Sequence, residues 1–340
     1  MIAMRPVTFA AVVFLAAGLA VGQSNKQQPL PKKIAWTFQG QADDTQESAW
    51  ASEHRNFSKL VKDATKGRIE LAYVSDTAPD TGVLDAVKAH KLNLGFMGVH
   101  YKPEMALMNF PSLPIVPNDR LPEILAALKP EFDEIWQKQF GVKLLAFGYY
   151  LPQTLFTAQP ADTVASLRDK RFRHFGPSVI DLYTRAGVQP VAIANVHMVQ
   201  QSLIDGKLDG AQGALPAYVN WGWAQKLKYV SNWPLGSVYM ALVVNLDDWN
   251  ALTPELQQEV ESAANQLEKR QWQGRQAYVN GLLKKAETDF GSKVVNPSPD
   301  EVKKLLENAG PVIEDWKQRV GPGSGEILAA INKALGTDYK

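Results

Sequence analysis

Between Thr253-Pro254-Glu255 and Phe290-Gly291 nothing in the sequence interrupts a helix. Threonine is an N-cap type, proline suits the first helical position, and glycine is the usual residue just past a helix end. The uninterrupted stretch is ~37 residues, or ~55 Å at 1.5 Å per residue, longer than one lobe of a protein this size is wide. Such a helix is expected to span two bodies, straight or with a kink. The length of 340 residues allows two domains with substantial cores.

Ahead of that helix the chain alternates strand and helix signals twice, the pattern of an α/β protein. In the first set, strands are expected at 33–38, 68–74, 92–97 and 142–149, with helices near 47–65, 82–91 and 121–140. Gly67 ends the first of these helices. In the second set, strands are expected at 171–175, 190–193, 208–211 and 238–245, with helices at 179–186, 196–204 and 217–227. After the long helix, Ser298-Pro299-Asp300-Glu301 reads as a capping box, and Gly321-Pro322-Gly323 separates off a terminal helix at 326–335. Two α/β units of similar content predict two lobes with a cleft between them.

The first 22 residues stand apart. Arg5 is their only charge, Val7 to Val21 is apolar apart from Thr8, and Ala20-Val21-Gly22 supplies a small-residue exit. This reads as a cleaved secretory signal peptide, its run of about 15 residues being short of the ~20 that span a membrane. The expected location is outside the cytoplasm. The 36 basic and 35 acidic residues nearly cancel, which argues against nucleic acid as a partner. With no cysteine there is no disulfide, thiolate metal site or cysteine nucleophile.

Catalytic motifs are missing as well. His54, His90, His100, His174 and His197 show no close metal-ligand spacing, and Gly321-Pro322-Gly323-Ser324-Gly325 lacks the order of a nucleophile elbow. The expectation is therefore a protein that is not an enzyme and holds neither metal nor cofactor. A secreted hydrolase built from distant residues stays open as an alternative, as does a cleft protein of another transporter class or a sensor for a polar ligand such as an amino acid.

Several segments taken together point to a family. Leu167-Arg168-Asp169-Lys170-Arg171-Phe172-Arg173 is similar to a family strand of pattern L-x-G-x-K-x-R. The run from Gln201 to Ala211, with Asp205-Gly206 and Asp209-Gly210, is similar to q-A-L-q-x-G-x-x-D-G-a. Lys226-Leu227-Lys228-Tyr229-Val230 precedes a strand, and Trp249-Asn250-Ala251-Leu252-Thr253-Pro254-Glu255 matches W-x-x-L-s-p-e at the head of the long helix. Lys66-Gly67-Arg68-Ile69-Glu70 and Leu84-Asp85-Ala86-Val87-Lys88-Ala89 extend the likeness to the first unit. The chain resembles the solute-binding proteins of tripartite ATP-independent periplasmic (TRAP) transporters, of C4-dicarboxylate-binding type, over nearly all of 33–335. The resemblance implies a two-lobed periplasmic-binding-protein architecture that closes on a small organic acid by hinge motion and delivers it to a TRAP-type membrane permease. The lobes are expected at 33–150 with 239–278 and at 151–238 with 279–308, followed by C-terminal helices at 309–340. A monomer or weak dimer is expected.

The same resemblance assigns the carboxylate clamp to Arg173, whose planar guanidinium fork can meet both carboxylate oxygens. As a solvated cleft residue, Arg173 is expected to add little to the stability of the empty protein. Two departures narrow the ligand. Gln153 stands where relatives that bind many small acids carry a second arginine, and Gly213 follows Gln212 where an asparagine is frequent. One charged anchor plus amides suits a monocarboxylate, aromatic or otherwise apolar beyond its acid group. Tyr150 and Trp233, at element ends, are candidate walls, and Asn195 is a candidate polar contact. From the first lobe, Gln39 and His100 follow strands whose carboxyl ends are where open α/β sheets bind ligands.

Overall fold

Two separate hydrogen-bonded sheets organise the described residues. The computed structural model describes residues 33–40, 49–75, 77–99, 103–149, 152–174, 176–193 and 197–340. The chain begins with β1 (Ile34–Gln39), α1 (Ala49–Ala64), β2 (Ile69–Val74), α2 (Val83–Lys88) and β3 (Leu94–Gly98). α3 (Leu121–Ile135) runs on as a π-helical turn to Phe140 and leads to β4 (Val142–Tyr149). The second series is β5 (Thr154–Thr157), α4 (Val164–Leu167), β6 (Arg171–His174), α5 (Pro177–Arg185), β7 (Gln189–Ala192), α6 (His197–Ile204), β8 (Gly210–Gly213), α7 (Leu215–Asn220) and β9 (Tyr229–Ser231). Then come β10 (Tyr239–Asn245), α8 (Leu246–Asn250), α9 (Pro254–Phe290), β11 (Lys293–Val295), α10 (Pro299–Leu306), α11 (Ala309–Val320) and α12 (Ser324–Leu335).

The first sheet has the order β2-β1-β3-β10-β4 and the second β11-β9-β5-β8-β6-β7. In each, one strand runs against its neighbours: β10 is antiparallel to β3 and β4, and β5 is antiparallel to β8 and β9. Each reversed strand is the one reached directly from the other sheet. Four residues separate Tyr149 from Thr154, so the end of β4 and the start of β5 lie within ~18 Å of one another. Thr154 pairs with Gly213, the last residue of β8. β5 therefore enters the second sheet at the carboxyl ends of its parallel strands and must run backwards. The return from β9 is equivalent, since Tyr239 pairs with Tyr149 at the end of β4. The carboxyl edges of both sheets consequently face each other, and open α/β sheets bind ligands at such edges.

The long helix is one continuous α-helix of 37 residues. Thr253 Oγ1 accepts from Leu256 N at 3.3 Å, and Gly291, at φ 66°, closes the far end in the left-handed conformation. Leu256, Val260, Ala263, Ala264 and Leu267, at helical spacing, bury against Trp36, Phe38 and Phe57 of the first lobe. Further along the same helix, Leu282, Leu283, Ala286 and Phe290 pack against Phe156, Tyr218 and Trp223 of the second. α11 also touches both, with Val312 in a second-lobe cluster and Ala309, Ile313 and Trp316 in a first-lobe one.

Three local expectations are corrected. The helix expected over 217–227 stops at Asn220, because Gly222 takes φ 77°, and a 3-10 turn at Trp223–Gln225 follows. The capping box at Ser298 is half formed. Ser298 Oγ accepts from Glu301 N, but the Glu301 carboxylate reaches away to Val164 N at 2.6 Å and caps α4 instead. β5 and β11, which no strand signal announced, are four and three residues long. Such strands are too short for alternation to register and exist through their pairing.

Candidate functional site

The carboxyl edge of the second sheet collects four of the residues singled out in the sequence. Arg173 lies on β6, Gln212 and Gly213 end β8, and Gln153 immediately precedes β5. Arg173 is 2% exposed. Its Nε donates to the Ile193 carbonyl at 3.0 Å, just past β7, and its Nη1 donates to the Gln212 carbonyl at 2.8 Å. The guanidinium thus bridges the ends of the two strands beside its own. These two main-chain carbonyls fix the plane and direction of the guanidinium. The expectation of a solvated cleft arginine is corrected here: Arg173 is buried and hydrogen-bonded, so it contributes to the fold as well as to any ligand.

Its neighbours explain the local sequence. Arg171, two residues earlier, faces Asp209 in a forked pair, with Nε and Nη2 at 3.1 and 3.0 Å from the carboxylate, and the Arg171 amide donates to the same group. That pairing holds the Asp209 carboxyl below the usual carboxylate range. A Cβ on Gly210 would sit 2.5 Å from the Phe156 carbonyl, so only glycine lets β8 pack there. Gly213 has a similar constraint, because a Cβ would meet the Trp223 ring at 2.7 Å. The indole occupies the room that a larger residue at 213 would need. His174, beside Arg173 on the opposite face, is buried against Phe172 and Tyr183. Burial lowers its pKa to about 4; the adjacent Gln212 side chain acts the other way and Arg173 in the same direction as burial. The ring is neutral at ordinary pH.

Other predicted positions fare differently. Trp233 is 3% exposed, lies in the hydrophobic cluster with Leu155, Phe172 and Leu305, and donates its Nε1 to the Ala161 carbonyl at 2.7 Å. It packs in the core of the second lobe. Gln39 is fully buried at the end of β1, at the facing edge. Its amide is clamped to Ala78, donating to the carbonyl at 2.6 Å and accepting from the amide nitrogen at 2.9 Å. His100, Tyr150 and Asn195, like the expected signal peptide over 1–22, lie outside the described residues. The Ile193 carbonyl went unforeseen, since a main-chain acceptor leaves no mark on the sequence. Among the described residues, no helix is long and apolar enough to cross a membrane.

The family model for bacterial extracellular solute-binding protein, family 7 (DctP) matches residues 42–319. Among solved structures, a TRAP periplasmic solute-binding protein from Ochrobactrum anthropi, with its C-terminus bound in the ligand-binding pocket, superposes with TM-score 0.80 at 15% identity, over 90% of this chain and 97% of that one. A TRAP periplasmic solute-binding protein from Desulfovibrio desulfuricans with bound sn-glycerol-3-phosphate gives 0.76 at 15% identity, over 90% and 99%. A Bordetella pertussis extracytoplasmic solute receptor binding pyroglutamic acid gives 0.73 at 22% identity, over 88% and 99%. At these identities the structures establish the two-lobed fold, while the family match covers most of the sequence. The chain belongs to the family 7 bacterial extracellular solute-binding proteins, the solute receptors of TRAP transporters.

Proposed function

We propose that this receptor closes on a small organic monocarboxylate, holds its acid group on Arg173, and passes it to the permease of its transporter from the periplasm, after residues 1–22 have been removed. The observation that carries this reading is the placement of Arg173: a buried cation at the carboxyl edge of its sheet, oriented by two neutral carbonyls. An anion arriving there meets a preorganised fork in a site of low dielectric, where a charge-assisted pair is strong. Gln153 and Gln212 bring amides to the same edge and add no second cation, which favours one carboxylate over two. The similar receptor that binds pyroglutamic acid, a monocarboxylate, supports the same ligand class.

A thermal-shift panel of monocarboxylates, dicarboxylates, neutral sugars and amino acids tests the reading. A ligand that binds only the folded state raises the midpoint by mass action. Monocarboxylates should give the largest shifts. Stabilisation by neutral sugars alone would overturn the proposal.

A further inference from the structure

The first lobe buries several polar atoms that have no hydrogen-bond partner, and two of them meet at one point. These are Tyr73 Oη and His54 Nδ1. A methyl group on Gly40 would stand 2.5 Å from the Tyr73 hydroxyl and 2.8 Å from His54 Nδ1. Gly40 directly follows β1, so this point lies at the carboxyl edge that faces the second lobe. Its backbone is not among the left-handed glycines, so no turn requires glycine here. What the site requires is the absence of a side chain.

Both rings are held in place. Tyr73 pairs in register with Phe38 and meets it edge-on at 5.7 Å. His54 is 1% exposed and stacks on Phe96 at 4.2 Å. Burial, aided by Arg55 next to it, lowers the His54 pKa to about 3, so the ring is neutral. Packing alone gives no reason for these residue types. Phenylalanine at either position would fill similar volume without a buried polar atom, and native proteins leave few such atoms unpaired without a functional reason or a missing partner.

We infer that Tyr73 and His54, packed beside Gly40, form an uncharged hydrogen-bonding subsite in the first lobe that takes a neutral hydroxyl or amide group of the ligand. This rests on the reading that the acid group sits on Arg173 across the cleft. A tyrosine hydroxyl donates and accepts, and a neutral imidazole offers one donor and one acceptor. The pair therefore matches a group that does both, and offers a second carboxylate no cation. The ligand class is a monocarboxylate bearing a hydroxyl or amide.

Two acid pairs that differ only in a hydroxyl test this: mandelate with phenylacetate, and lactate with propionate. Calorimetric titration of wild type should show a preference of about tenfold for the hydroxy acid in at least one pair, the value of one good hydrogen bond. Tyr73→Phe should abolish that preference while keeping the affinity for the deoxy acid, and His54→Phe should do the same. Arg173→Ala should weaken both members of a pair alike. If Arg173→Ala has no effect while the hydroxyl preference stands, the carboxylate reading fails and the subsite survives. The subsite is overturned if wild type shows no preference or binds none of the four acids, or if the preference persists in both phenylalanine variants. The unliganded Tyr73→Phe protein should melt no lower than wild type. A lower midpoint with equal loss of affinity for both acids would show a group serving the fold alone, and would also overturn the subsite.

Discussion

The two lobes share a strand plan but treat the polar groups at their facing edges differently. In the second lobe the cation is supported by the fold itself, with Arg173 on two main-chain carbonyls and Arg171 on Asp209. In the first lobe Gln39 is clamped to Ala78, yet Tyr73 and His54 have no partners. The difference follows from what each group costs. An isolated buried charge is too expensive for a fold of ordinary stability, so its supports must be built in. A neutral orphan costs about 1–3 kcal/mol, which the fold can carry until a ligand arrives.

The most direct way to break this contrast is Arg173→Ala. Removing one partner of a buried charge pair costs ~2–5 kcal/mol, so ligand affinity should fall roughly 30-fold or more. Arg173→Lys should recover only part, since an ammonium has no planar fork. Because the carbonyls of Ile193 and Gln212 would also lose their donor, the empty Ala variant should be less stable by about 1–3 kcal/mol. Titration calorimetry on the folded variants, paired with urea unfolding, reads both losses. An affinity within threefold of wild type would falsify the clamp.

A pH series sharpens the comparison, because among the described residues each lobe buries one neutral histidine near the facing edges. Folding lowers the pKa of His54 to about 3 and of His174 to about 4, from 6.5 in the unfolded chain. Below pH 6.5 the unfolded chain takes up protons that the folded one refuses. Stability is therefore fully present above about pH 6.5 and declines as pH falls toward the folded values, by up to ~1.4 kcal/mol per pH unit for each histidine. Unfolding midpoints between pH 7 and pH 4.5 should fall, and His54→Phe should flatten the decline. A midpoint unchanged over that range would contradict the burial of both rings.

The smallest expected effect is at the exposed rim. Asp209→Asn breaks a pair whose side chains are 42% and 35% exposed, so it should cost only ~0.2–1 kcal/mol in urea unfolding. Since Asp209 is held below its usual range, its contribution should disappear as acid protonates it. A much larger loss at neutral pH would mean that this pair, and not the buried Arg173, organises the edge.

What could be read from the sequence was whatever neighbouring residues decide. The long helix follows from its threonine cap, its apolar spacing and its closing glycine, all within reach of the local backbone. That Arg173 lies on a strand was visible, and so were the two series of alternating elements. His54 left a faint mark of its own, a histidine in line with Phe57 and Val61 on the buried face of α1. What the tertiary structure alone decided are contacts between residues far apart in the chain. Arg173 meets carbonyls 20 and 39 positions away, Gln39 meets Ala78, and Tyr73 and His54 converge on Gly40. Trp233 went into the core because its indole found the Ala161 carbonyl 72 residues back. Periodicity and capping are local and repeat along a chain, so they are legible in it. A partner that is a main-chain carbonyl or a missing side chain carries no residue type of its own, and only the packed fold brings it to the site.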